Sequence, residues 1–461
     1  MTDIVQEKYD LIGLSCPQGT YEIALEILSA IYALPAPNVV LGHALPTSLP
    51  EIFLLPYPQV FIVRGWGESA IVALCQQILE RHIQPELVPG LTYLDKDGHR
   101  HDNPPDWTDA PPPTDRIDPG RYFARIEGSR GCHYNVCTFC SRPPLRANQV
   151  PWMRISNVNV LAEIERLVQM GVTTFTFADE DFIGNDPEGA YDLAHQLRRF
   201  PNLDFALSVR TDNIFVPNGS EQENRLRWQI LQTLKDAGLS LVFVGIESFA
   251  PTQLRRFGKG TSPENHIKAI RLLESLNIEL ELGLILFDPL VTLDELRTNV
   301  QALKKTGFWC YAGQLFSFLR PQVGTPYVKL LKQQGLLGEL RVNTAEYTAS
   351  YQNDRAAYIA QYCKEWNKNH HRLYMALRNV NRSELGTGSF VNAVYRYRYL
   401  QLIILETLLE QASEENGGGL ADPHLWSKEL ATITQELRFH LESLSSRTNI
   451  EDHLLNIICS A

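Results

Sequence analysis

Three of the chain's eight cysteines lie in one short stretch, Ser129-Arg130-Gly131-Cys132-His133-Tyr134-Asn135-Val136-Cys137-Thr138-Phe139-Cys140, spaced Cys-x4-Cys-x2-Cys. Gly131 lets the backbone turn sharply into a loop just before the first of them. Three thiolates gathered in this way hold three irons of a four-iron cluster, and no fourth cysteine stands nearby to complete the shell. One iron is therefore left open to a ligand. From these residues alone two other chemistries stay open. Cys-x2-Cys beside His133 also suits a tetrahedral zinc ion, and Cys137 with Cys140 also has the spacing of a redox pair, whose usual setting is a short thioredoxin-like unit.

The chain after this loop alternates strand and helix patterns. Arg121 to Ile126 reads as a strand that delivers the loop at its C-terminal end, followed by a helix over Val158 to Met170 that Gly171 stops. Strands follow at Thr173 to Ala178, ending in Asp179-Glu180-Asp181-Phe182, and at Asp204 to Val209, running into Arg210. Leu241 to Ile246 runs into Gly245-Ile246-Glu247-Ser248. After a helix over Pro263 to Leu276 come strands at Glu279 to Phe287 and Gly313 to Phe318, then Gly324-Thr325-Pro326. The expected core over residues 121–327 is a partial (β/α)6 barrel, with its chemistry at the C-terminal strand ends.

Cysteine loop, acidic strand end, Gly-Ile-Glu-Ser and Gly-Thr-Pro, in that order, resemble the radical S-adenosylmethionine superfamily. The resemblance implies a 4Fe–4S cluster on Cys132, Cys137 and Cys140, with S-adenosylmethionine on the open iron. An electron then breaks the sulfonium's carbon–sulfur bond to give a 5′-deoxyadenosyl radical, and cofactors carry the hard chemistry. It also implies cofactor contacts: Phe139 against the adenosine, Asp179 and Glu180 at the amino group, Arg210 at the methionyl carboxylate through its fork. Ser208 falls at the ribose, Glu247 lies in the signature, and Ile285 is an apolar wall for the adenine. Two departures stand out. The usual loop has three residues between the first two cysteines where this one has four, and a second glycine common near positions 287 and 288 is absent.

Ahead of this core, Tyr9 to Leu14, Asn38 to Leu41 and Gln59 to Val63 read as strands, with helices over Thr20 to Leu34 and Glu68 to His82. That βαβ series predicts a small parallel sheet in a Rossmann-like domain over residues 1–102. Val60 to Glu68 followed by Pro89-Gly90-Leu91-Thr92-Tyr93 resembles the cobalamin-binding-type domain fused ahead of many radical enzymes. Where cobalt-ligating domains carry Asp-x-His-x-x-Gly, this chain has Ser15-Cys16-Pro17-Gln18-Gly19-Thr20, so cobalamin is a possible cofactor without that histidine. Residues 103–120, with prolines at 104, 105, 111, 112, 113 and 119, read as an extended linker.

Residues 328–461 read as a helical region, with helices over Tyr358 to Tyr374, Val391 to Gln411 and Leu425 to Leu444. In radical enzymes that invert a Cα centre a thiol returns the hydrogen, and Cys363 is the candidate here, with Cys310 and Cys16 as competitors. The whole architecture is similar to maturases of ribosomally made peptides. Backbone epimerisation or tyramine-excising splicing of a precursor peptide is the first expectation, with a leader-peptide-binding partner protein. The second is a cobalamin-dependent methyltransferase or mutase acting on a small molecule, and the third a non-catalytic metal scaffold. Either enzyme needs an external electron donor of the flavodoxin or ferredoxin type. A net charge of −11 argues against broad phosphate binding, so no nucleic acid partner is expected. The N-terminus shows no basic head with an apolar run, and the apolar stretch 400–409 is too short for a bilayer. A cytoplasmic location follows as an expectation.

Overall fold

The computed structural model describes residues 9–33, 38–106, 124–141, 152–379 and 388–412, together with 431, 432 and 435. Contacts sort the chain into two units, each built from three stretches. One comprises Met1–Ser208, Gln229–Leu239 and Arg320–Ala349; the other comprises Val209–Trp228, Ser240–Leu319 and Ser350–Ala461.

The first unit opens with β1 (Leu11–Ser15), β2 (Asn38–Gly42), β3 (Phe61–Val63), β4 (Leu91–Leu94) and β5 (Arg100–Asp102), in that spatial order. β1, β2 and β3 run parallel, as the βαβ pattern predicts, but β4 and β5 are antiparallel additions. The sheet is therefore mixed, because a helix crossover separates each of the first pairs whereas Asp95 to His99 closes a hairpin. Alternation along β2 fills both faces. Val39 and Leu41 pack with Ala24, Leu28 and Ile31 of the helix Tyr21–Tyr32, while Val40 packs with Ala70 and Leu74 of the helix Glu68–Leu79. Asn103 and Pro104 do not form a free linker. Asn103 Nδ2 donates to Pro85 and Val88 carbonyls and Gly90 N to Pro104 O, so the chain stays on the sheet there; residues 107–120 lie outside the described residues.

The same unit continues with β6 (Ala124–Ile126), the two-residue pair β7 (Ser129–Arg130) and β8 (Met153–Arg154), β9 (Thr174–Phe177) and β10 (Asp204–Val209). β9 lies between β6 and β10, all parallel. Phe175, Phe177, Phe182 and Phe205 fill the space behind them, with Phe175 stacked on Phe205 at 5.5 Å. Each such ring contributes about 1.5–3 kcal/mol by leaving water.

The second unit holds most of β11 (Leu239–Glu247) and all of β12 (Glu279–Leu284), paired in parallel with a register shift between Gly245 and Glu247. The sixth strand expected over residues 313–318 does not form. It reduces to single bridges, Leu282 with Ala312 and Phe287 with Phe318, because a 3-10 turn at Phe308–Tyr311 feeds the chain in and Ser317 N turns back onto Leu315 O. Helices Asp354–Asn369 and His371–Asn379 replace the single helix expected from 358 to 374. His370 breaks it, its ring Nδ1 turned onto the Trp366 carbonyl at 2.8 Å. The helix Gly388–Gln411 is present; the one expected over 425–444 falls almost wholly outside the described residues.

The region read from sequence as helical from residue 328 starts with the end of the helix Pro326–Gln333, but then carries β13 (Leu337–Arg341) and β14 (Glu346–Ala349), an antiparallel pair in the first unit. No helix among the described residues is long and apolar enough to cross a membrane.

Candidate active site

The cysteine loop follows β7, and its backbone is held by an acidic run at the end of β9. Asp179 is buried and accepts from Gly128 N at 3.0 Å and from the Ser129 hydroxyl. Glu180 accepts from Gly131 N at 3.1 Å, and Asp181 Oδ2 meets His133 Nδ1 at 2.6 Å. Three consecutive carboxylates thus tie down positions 128–133 on the approach to and just past Cys132. Burial pushes the Asp179 carboxyl up to about 7, while the bonds from Ser129 and Gly128 pull the other way. Gly128 is closely packed: a Cβ would lie 3.2 Å from both Phe177 and Phe182 and 3.3 Å from the Asp179 carboxylate, so these neighbours would have to give by a few tenths of an ångström.

Past the loop, Tyr327 N donates to Thr138 O, so the Gly-Thr-Pro turn anchors its far side. Thr325 caps the helix Pro326–Gln333, with Pro326 at its first turn. Cys137 is buried and Cys132, Cys140 and Phe139 are half-buried, with all three cysteines outside any disulfide. Among the described residues, Cys132, His133 and Asp181 bring one donor atom each within 4.8 Å of one another. Ser208 is half-buried, and its carbonyl accepts from Phe182 N, closing the acidic turn onto β10.

In the second unit, Arg210 and Glu247 are each matched to an opposite charge. The Arg210 fork grips the Asp212 carboxylate at 2.9 and 2.8 Å, and its Nη2 also donates to Lys259 O at 3.1 Å. Glu247 pairs with Lys259 Nζ at 2.8 Å. The fork proposed for a methionyl carboxylate is thus engaged by Asp212.

Glu247 has φ +63, a left-handed conformation that costs a non-glycine residue about 1–3 kcal/mol and is held only where its surroundings demand it. The surroundings do so. Ile285 N donates to the Glu247 carbonyl at 2.8 Å, and Ser248 Oγ reaches Asn299 at 3.0 Å while accepting from Ala250 N. At Gly245 a Cβ would fall 2.8 Å from Glu247 Oε1 and 3.3 Å from Lys259 Nζ, so a side chain there would push on that pair. Gly245, Glu247 and Ser248 therefore each have a local reason. Ile285, half-buried just past β12, sits on this bulge.

His266 lies buried behind it, its Nδ1 3.1 Å from Thr211 Oγ1, and burial holds its pKa down near 3. Cys363 is wholly buried in the helix Asp354–Asn369, which pushes its thiol well above the ordinary range. Burial, with Asp288 and Cys363 adding to it, likewise pushes the Tyr351 phenol up. Cys16 is buried and raised to about 11 by that burial, and Cys310 is half-buried.

Sequence reasoning singled out the cysteines, the signature and the acidic run, which the structure brings onto the cysteine loop. It missed Gly128, Ser129, Asp181 with His133, Lys259 and His266, whose partners lie many residues away. Only the quoted Asp179-Glu180-Asp181 gave a signal, a third carboxylate beside the two singled out.

Residues 126–303 match the radical SAM superfamily. They are a radical SAM domain. Such a domain carries a 4Fe–4S cluster and S-adenosylmethionine, acts on a substrate and takes an electron from a donor. The donor set fits the group: three undisulfided cysteines on a loop whose backbone amides are already committed to Asp179 and Glu180.

The chain is 30% identical over 330 residues to the 4′-phospho-dehydrooxetanocin synthase of Priestia megaterium, covering 66% of this chain and 44% of that protein. It is 25% identical over 324 residues to an uncharacterized methyltransferase of Pyrococcus horikoshii, covering 67% of this chain and 66% of that one. The chain thus spans less than half the length of the first relative and about two thirds of the second. Among solved structures, the cobalamin-dependent S-adenosylmethionine radical enzyme OxsB, with aqua-cobalamin and S-adenosylmethionine bound, superposes with a TM-score of 0.81 at 22% identity. That match covers 100% of this chain and 76% of that one. The radical S-adenosylmethionine methyltransferase TsrM from Kitasatospora setae gives 0.61 at 16% identity, over 89% of each chain. These likenesses show the fold, front domain included.

Proposed function

We propose that this protein is a corrinoid-dependent radical SAM enzyme acting on a small molecule, by methyl transfer or by rearrangement of its carbon skeleton. The observation that supports this most is the 30% identity over 330 residues to 4′-phospho-dehydrooxetanocin synthase. It favours the second expectation from sequence over peptide maturation, and no leader-binding partner is needed. The hydrogen-donor role of Cys363 belongs to the peptide reading and is not carried forward.

When bound, the cluster on Cys132, Cys137 and Cys140 supplies the electron that cleaves S-adenosylmethionine to a 5′-deoxyadenosyl radical. The chain's own residues do the positioning. Asp179 acts through Gly128 and Ser129, fixing the loop's entry, and Glu180 fixes Gly131. Within the first unit, Phe139 is proposed to offer apolar surface to the adenosine and Ser208 a hydroxyl to the ribose. In the second unit Arg210 and Glu247 are taken up by Asp212 and Lys259, so neither is carried forward as a contact to the methionyl end.

The corrinoid is assigned to the carboxyl edge of β1–β3, where open α/β sheets bind their ligands. The edge has room: a Cβ at Gly19 or Gly42 would meet nothing within 4 Å.

The test is anaerobic reconstitution with iron, sulfide and hydroxocobalamin, then dithionite and S-adenosylmethionine, beside a variant with Cys132, Cys137 and Cys140 all changed to Ala. The wild type is expected to form 5′-deoxyadenosine and to retain corrinoid through gel filtration, and the variant to form none. Wild type that forms deoxyadenosine but never retains corrinoid would return the question to peptide substrates.

A further inference from the structure

Arg130, two residues ahead of Cys132, has its guanidinium in the front domain. Its Nη2 donates to Glu68 Oε1 at 2.6 Å and lies 2.7 Å from Glu127 Oε2, its Nε donates to Glu127 at 2.8 Å, and its Cζ lies 5.0 Å over the Trp66 ring. The side chain is only 11% exposed, and Nη1 is buried with no hydrogen-bond partner among the described residues. Both front-domain contacts come from one turn. Trp66 and Glu68 follow β3 at the carboxyl edge of the sheet, and Gly65, at φ +89, folds the chain back so that they reach Arg130.

This turn is fixed at both ends. Arg64 N donates to Gly90 O at 2.9 Å, the Arg64 side chain is held by Thr92 and Asp102, and Glu68 begins the helix Glu68–Leu79. Arg130 is equally constrained. It pairs with Met153 across the β7–β8 ladder, and the next residue, Gly131 at φ +82, donates to Glu180 and leads into Cys132. A shift of the Trp66–Glu68 turn therefore has few places to go except into the cysteine loop.

We propose that Arg130 is a positioning residue through which the carboxyl edge of the front-domain sheet sets the placement and charge of the cluster loop, so that a corrinoid seated on that edge is felt at the cluster. The ligand-linked half of this rests on the corrinoid reading given above. Two carboxylates share one guanidinium. Withdrawing one takes this group from one net negative charge to none, and a less negative setting beside the cysteine loop favours the more negative, reduced cluster. The turn carries no cluster ligand, so a bystander role in packing predicts no such electronic effect.

The test uses the full chain, reconstituted without oxygen, as wild type, Glu68→Gln and Arg130→Lys. Iron content, the electron paramagnetic resonance spectrum of the reduced cluster and its midpoint potential are measured with and without hydroxocobalamin. Glu68→Gln, which keeps size and loses charge, is expected to bind iron as the wild type does but with its midpoint potential moved upward. Corrinoid is expected to shift spectrum and potential in wild type and to do so much less in Glu68→Gln. Arg130→Lys, keeping charge and losing the fork, should retain the cluster and lose the corrinoid response.

A Glu68→Gln potential and spectrum identical to wild type, at equal iron content, would overturn the inference whether or not corrinoid binds. Equal corrinoid shifts in all three proteins would overturn its ligand-linked half. Wild type that binds no corrinoid would overturn the corrinoid reading with that half, while the corrinoid-free comparison still decides the charge coupling.

Discussion

Asp179 shows how one buried carboxylate can be both a scaffold and a cost. Its pKa of about 7 in the folded chain lies above the ordinary 3.8, so between those values the folded state holds a proton that the unfolded state has released. The stability this contributes is complete below about pH 4 and is lost as pH rises towards 7, by on the order of 1 kcal/mol per pH unit. Asp179→Asn keeps a group that can bond Gly128 and Ser129 and cannot ionise. Urea unfolding at pH 5 and pH 7.5 should therefore show wild type losing ground to the variant at the higher pH, and parallel pH slopes would refute the assignment. Gly184 makes a steric case. At φ +57, with Trp152 carbons 2.0–2.5 Å from where a Cβ would stand, it lets the indole pack flat and donate to Asp181 O at 2.9 Å. Gly184→Ala is expected to cost at least about 2 kcal/mol in denaturant unfolding. The cysteine spacing was legible at this scale because it is local in sequence. Asp181 with His133 and Glu247 with Lys259 were not, because side-chain contacts across 48 and 12 positions leave no periodic trace.

At the scale of elements, the helix Tyr21–Tyr32 shows a fold borrowing what its own sequence lacks. Thr20 makes no side-chain cap, and instead Asn343 accepts from Tyr21 N at 3.0 Å through its side chain and from Gly19 N at 2.8 Å through its carbonyl. The turn between β13 and β14 thus supplies the start of a front-domain helix. Asn343→Ala should lower stability by about 1 kcal/mol, the usual worth of a cap, with the helix itself retained by circular dichroism. A second joint is Arg256, whose guanidinium bridges Asp288 at 2.8 Å and Glu295 at 2.8 Å, tying the helix Pro251–Arg256 to the end of β12 and to the helix Leu293–Thr306. Both carboxylates are buried, so Arg256→Ala strands them and should cost about 3–5 kcal/mol, read as a large fall in the denaturation midpoint. Helix and strand existence was readable here from apolar spacing, and boundaries held to within a residue or two at Asp204–Val209 and Pro263–Ser275. The sixth strand failed because its residues look strand-like by composition but lack a continuous partner.

At the scale of the whole molecule, each of the two units is assembled from three separated stretches of chain, so neither is a segment that one cut releases. Residues 121–327 alone match the span of the recognisable motifs, yet they omit Ile359, Cys363, Leu402, Leu405 and Leu408, all buried in the second unit. A fragment of those residues should therefore melt without a cooperative transition, where the full chain shows one; a sharp melt from the fragment would show that the motif-bearing span suffices. The sequence by itself determined the spacing of the three cysteines, the alternation of strands and helices, and the Gly-Ile-Glu-Ser run at the end of β11, since each depends on neighbours in the chain. Tertiary structure alone decided which groups were already spoken for: the Arg210 fork held by Asp212, the helix start held by Asn343, and Arg130 held by Glu68. The physical reason is that spacing along the chain records local geometry and hydrophobic period, whereas the partner of a charge or an unmet N–H is whichever group packing brings within about 3 Å of it.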